Sequence, residues 1–81
     1  MEIMREYSFS YYENKEEKQG KFKISEPVFD ETKKCYFVEV YCSIDNRSHK
    51  IFGVDEKQSL ELAQKFFKER YKNYGIKSKD I

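Results

Sequence analysis

From Ile3 to Tyr12 the residues alternate, with Ile3, Arg5, Tyr7, Phe9 and Tyr11 on one side of an extended chain and Met4, Glu6, Ser8, Ser10 and Tyr12 on the other. That period of two predicts a strand with one apolar face. Residues 13–20 are polar and end in Gly20, which predicts an exposed hairpin loop before a second short strand over 21–25, with Phe22 and Ile24 inward. Pro27 lacks an N–H and ends pairing there, and residues 30–34 form a second polar connection. Residues 35–44 are rich in aromatic and β-branched side chains and predict the strongest strand. A turn at Asp45-Asn46-Arg47-Ser48 returns the chain through a fourth strand over 49–54. The register expected from that turn pairs Ile44 with His49, Cys42 with Ile51 and Val40 with Gly53. It sends Val38, Val40, Cys42 and Ile51 to one face and Phe37, Tyr41, Phe52 and Val54 to the other.

After residue 54 the period changes. Asp55 can accept from the N–H of Gln58, and Gln58 can reach back to the N–H of Asp55, which is the pattern of a capping box. Glu56 adds a negative charge where the helix dipole favours it. At 100° per residue, Leu60, Leu62, Ala63, Phe66, Phe67, Tyr71 and Tyr74 fill about half the circumference. The helix is expected to run to residue 73 or 74, with Gly75 closing it. Arg70 falls inside the apolar arc, where it either snorkels to solvent or pairs with a strand carboxylate such as Glu39. The architecture that follows is α+β: a four-stranded antiparallel meander with one C-terminal amphipathic helix packed on one face, in the order ββββα. Residues 1–75 form a single small domain and 76–81 a flexible tail. The expected core is Tyr7, Phe9, Tyr11, Phe22, Ile24, Val38, Val40, Ile51, Leu60, Ala63, Phe66 and Phe67.

With 81 residues the chain can build only one small core, and seven Tyr and seven Phe supply much of its apolar area. Charged residues make up 38% of the sequence but nearly cancel to +1, so composition gives no general polyanion-binding character. Cys35 and Cys42 lie on opposite faces if they share a strand, which excludes a bridge within it and reads as two reduced thiols. The start has no apolar signal region and no run reaches the length of a membrane span, so a cytoplasmic protein without membrane association is expected.

Catalytic chemistry finds little support. His49 is the only histidine and reads as an exposed turn residue with Asp45 nearby. Glu16-Glu17 and Asp30-Glu31 are solvated loop carboxylates without the spacing of a calcium loop. Two cysteines and one histidine cannot complete a zinc site in one chain, and isolated glycines make no phosphate cradle. No catalytic, metal or cofactor-binding residue is therefore assigned, and no cofactor or small-molecule substrate is implied. The expectation is a non-catalytic protein-interaction domain that binds itself, as a homodimer, or another protein through the sheet face the helix leaves uncovered. Phe37, Tyr41 and Phe52 are the contact residues of that reading. The alternative is a single-stranded nucleic-acid-binding module, suggested by Lys21-Phe22-Lys23 and by the lysines and rings of residues 65–72. It is disfavoured because Phe22, Phe66 and Phe67 fall on core-facing positions.

Ile24-Ser25-Glu26-Pro27, the strand 36–44, and Gly53-Val54-Asp55 followed by Gln58, Leu60, Leu62 and Ala63 carry a resemblance. The chain resembles a family of short bacterial domains of unknown function with a Gly-x-Asp-x-x-Gln strand-to-helix junction. The resemblance spans residues 3–74 and implies a curved antiparallel sheet leading into one helix. It implies no activity. By analogy of class alone, an immunity-type inhibitor of a toxin is a further alternative.

Overall fold

The computed structural model describes residues 3–77. Strand β1 (Ile3–Glu13) and strand β2 (Glu16–Ser25) form a long hairpin, followed by β3 (Val28–Asp30), β4 (Cys35–Cys42) and β5 (Arg47–Gly53). Helix α1 (Glu56–Arg70) and a 3-10 turn, Lys72–Tyr74, follow. All pairings are antiparallel: β1 with β2, and β4 with β2 and β3 on one edge and β5 on the other. Because β2 and β3 follow one another along the same edge of β4, the five strands trace a four-membered meander. The fold is the expected α+β sheet and helix.

Local chemistry explains where the strands differ from expectation. The expected loop over 13–20 is a two-residue turn at Asn14 and Lys15, both with positive φ (53° and 65°), as a twisted hairpin requires. Glu16–Gln19 therefore belong to β2, and their polarity reflects the solvated part of a hairpin that carries Glu13–Lys18 and Tyr12–Glu17 contacts. Pairing also resumes after Pro27, where Val28 sits opposite Phe37. Between Ile24↔Val40 and Val28↔Phe37 the register slips by one, and the side chain of Ser25 fills the gap. Its Oγ accepts from the N–H of Glu39 at 2.7 Å, replacing a backbone partner that the slip removes. Pro27-Val28-Phe29 thus joins the sheet edge and does not fold over the outer face.

The β4–β5 loop has the expected four residues but begins two positions earlier, after Cys42. Asn46 adopts φ 55°, its N–H donates to the carbonyl of Cys42 at 3.0 Å, and the Asp45 carboxylate accepts from the N–H of Arg47. The pairing is consequently Val40↔His49, Val38↔Ile51 and Tyr36↔Gly53, four positions removed from the expected register. A shift of four preserves every face assignment. Gly53 faces Tyr36 instead of Val40.

Phe9, Tyr11, Phe22, Ile24, Val38, Val40, Cys42, Ala63, Phe67 and Tyr71 form the buried core, with Tyr7, Ile51, Leu60 and Phe66 packed at its margin. Phe67 is central, with ring centroids 4.3 Å from Phe22 and 5.2 Å from Phe9. The helix starts as its cap dictates: the N–H of Gln58 donates to Asp55 Oδ1 at 2.7 Å. Gln58 Oε1 accepts from the N–H of Val54 at 2.7 Å, one residue earlier than a standard capping box places it. The α-helical turns end at Arg70, short of the expected 73 or 74, and Gly75 closes the following 3-10 turn with φ 61°. The tail does not fray at once. Ile76 packs against the core, and Lys77 exchanges backbone hydrogen bonds with Ser10 on the outer edge of β1. The rest of the expected tail, 78–81, lies outside the described residues.

Candidate functional site

The face of the sheet opposite α1 is assembled by strand alternation. On β4, Phe37, Glu39 and Tyr41 point away from the core formed by Val38, Val40 and Cys42. The β5 register sets Phe52 opposite Phe37, Lys50 opposite Glu39 and Ser48 opposite Tyr41, while β2 sets Lys23 opposite Tyr41. The three expected contact residues therefore share one face. Phe37 and Phe52 are brought together, with ring centroids 5.6 Å apart and planes at 46°. Tyr41 stands four residues along β4, roughly 13 Å away by strand rise. Its hydroxyl donates to Asn46 Oδ1 at 2.6 Å, which fixes the ring over the turn.

Each ring carries a lysine. Lys33 Nζ is 4.2 Å from the Phe52 centroid, Lys50 Nζ is 4.8 Å from that of Phe37, and Lys23 Nζ is 5.8 Å from that of Tyr41. Such contacts contribute only ~0.5–1 kcal/mol at exposed sites, so they are readily exchanged. Among the described residues none of these three lysines lies within ion-pair distance of a carboxylate. All three rings are half-buried, and Val28, opposite Phe37, extends the apolar surface at 49% exposure. The lysines are the part that sequence reasoning missed. The outward position of Lys50 follows from strand parity, but Lys33 reaches Phe52 from the β3–β4 turn, a placement set by the unforeseen strand β3.

A second polar group sits where α1 ends. Tyr71 Oη donates to Asp45 Oδ2 at 2.9 Å, and Arg70 Nη2 approaches the same oxygen at 3.4 Å. Arg70 thus pairs with Asp45 and not with Glu39. Burial pushes the Tyr71 phenol well above its ordinary range, reinforced by the hydrogen bond to the carboxylate, and burial also raises the Cys42 thiol. Both stay protonated near neutrality, which suits a latch between helix and turn better than a nucleophile.

His49 is not an exposed turn residue. It lies within β5 on the core side, its ring 5.1 Å from that of Phe66, with Nε2 buried and lacking a partner among the described residues. Asp45 is engaged by the helix end. Phe22 and Phe67 are fully buried, so Lys21-Phe22-Lys23 and residues 65–72 do not offer the rings that a base would need. Of those segments Lys21 and Lys23, two residues apart on β2, reach the outer face, Lys21 in an ion pair with Glu6. The described residues contain no group of three or more His, Cys, Asp or Glu side chains suited to hold a metal ion, and no helix long and apolar enough to cross a membrane.

Comparisons with family models, curated proteins and solved structures found no match for this chain. The resemblance to short bacterial domains accordingly has only the sequence pattern of residues 24–27, 36–44 and 53–63 behind it.

Proposed function

We propose that the chain is a non-catalytic binding module whose contact surface is the outer face of the sheet, with Phe37, Tyr41 and Phe52 as its contact residues. One observation carries this reading: the Phe37–Phe52 pair and Val28, which stands opposite Phe37, lie on the face opposite the helix, away from the core that the fold needs. The charges favour an anionic partner over a second copy. Pairing two such faces would bring Lys23, Lys33 and Lys50 of each protomer together, and like charges oppose that contact.

Site-specific photocrosslinking tests the reading in cells that express the chain. Benzoylphenylalanine replaces Phe52 in one variant and Lys65, on the exposed side of α1, in another. A discrete adduct from position 52 and none from position 65 is the expected result, and its sensitivity to protease or nuclease classifies the partner. Equal adducts from both positions, or none from either, would remove the outer face as a specific binding surface.

A further inference from the structure

Resting on the outer face as the binding surface, we infer that its occupant is single-stranded nucleic acid. Neighbouring bases stack on Phe37 and Phe52, and Lys23, Lys33 and Lys50 neutralise the backbone phosphates. The warrant is charge and π-surface complementarity at one place. Three lysines from three segments, β2, the β3–β4 turn and β5, surround the rings. Of the carboxylates on the same face, Glu39 stands opposite Lys50, Glu6 is bridged to Lys21, and Asp30 accepts from the N–H groups of Thr32 and Lys33 in its own turn. Phe37 and Phe52 belong to adjacent strands with centroids 5.6 Å apart, so they offer two stacking surfaces side by side. Open sheets that present such rings are a recurrent platform for unpaired bases.

In the free chain the ammonium groups occupy those ring faces. A base can take the place of an ammonium while the released lysine turns to a phosphate, so binding exchanges one contact for two. An acidic polypeptide would satisfy the lysines but not the rings, because the negative face of an aromatic ring repels a carboxylate. A duplex keeps its bases stacked on each other and offers none to Phe37 or Phe52. Of these three, the unpaired strand is the one that meets both requirements.

Fluorescence anisotropy of labelled oligo(dT) and oligo(rU), about a dozen nucleotides long to exceed one site, tests the inference on the full chain. Saturable binding is expected, with a log–log salt slope of about −2 for three phosphates on a single strand. Phe37→Leu and Phe52→Leu keep apolar volume while removing the π face, and each should weaken binding roughly tenfold. Lys33→Gln and Lys50→Gln, at solvent-facing side chains, should each make the salt slope shallower. The absence of saturable binding at low salt would overturn the inference, as would affinity unchanged in both leucine variants. Poly-L-glutamate displacing the chain as well as an oligonucleotide does would overturn it in favour of an acidic polypeptide. A protease-sensitive adduct at position 52 without oligonucleotide binding would reject nucleic acid while leaving the binding module intact.

Discussion

Replacing Gly53 with alanine tests how the strand-to-helix junction is built. A Cβ on Gly53 would lie 2.6 Å from the backbone nitrogen of Ser59, 2.9 Å from its Cα and 3.0 Å from the carbonyl carbon of Gln58. Every one of these atoms is helix backbone, so no rotamer change relieves the clash. The first turn cannot easily retreat, because Gln58 is bonded to both Asp55 and Val54 and Ser59 is fully buried. Forcing one methyl group into such a contact costs about 1–3 kcal/mol. For a domain of this size that corresponds to a fall in Tm of roughly 5–20 °C. Thermal melts followed by circular dichroism measure it, with Gly20→Ala as a comparison. There the added Cβ meets the ring of Phe9 at 2.7 Å, a side chain that can yield. Gly53→Ala should be the more damaging of the two. A Tm within a degree or two of the parent would refute the claim that α1 rests directly on the end of β5.

Ser25→Ala removes the acceptor of the Glu39 N–H and should cost about 1–3 kcal/mol, read as a lower urea midpoint at unchanged slope; an unchanged midpoint would mean another group serves that N–H. The raised Tyr71 and Cys42 should both contribute to a fall in stability at alkaline pH. Each ionises more easily in the unfolded chain, so their contribution is complete below about pH 9 and is lost as pH rises through 9 to 10 and beyond. Melts from neutral to about pH 11 should therefore show Tm falling, with a shallower fall in Tyr71→Phe above pH 10; equal slopes would assign the alkaline loss to other groups. Phe52→Ser, on the outer face, should lower stability by less than Phe67→Ala, whose buried ring is worth about 3–5 kcal/mol, and the reverse order in denaturant melts would make the outer face structural.

Much of this fold was legible because period and capping chemistry are local. The alternation of Phe9, Tyr11, Val38 and Val40 identified the core face, and Asp55 with Gln58 located the helix start. What failed was also local, but weaker. Asn14-Lys15 is a hairpin turn without the glycine that usually announces one, so a polar half-strand read as a loop. Pro27 concealed β3, since a one-residue slip bridged by a serine side chain leaves no periodic trace. The β4–β5 register was off by four because Asp45 and Asn46 lie inside the loop and not at its start, yet an even shift kept Phe37, Tyr41 and Phe52 on one face. The candidate surface keeps its three rings together for that reason. Its lysines did not emerge from the sequence as ring partners, because Lys33 meets Phe52 only through the folded turn, and the Tyr71–Asp45 latch joins residues 26 positions apart.

The division of labour between two aromatic faces, one folded inward and one offered outward, is tested most directly by aromatic carbon–proton NMR spectra of the chain titrated with oligo(rU). Signals from Phe37, Phe52 and Tyr41 should move saturably while those of Phe9, Phe22 and Phe67 stay in place. Shifts centred on the core rings or on α1, or spectra that do not change, would contradict the account.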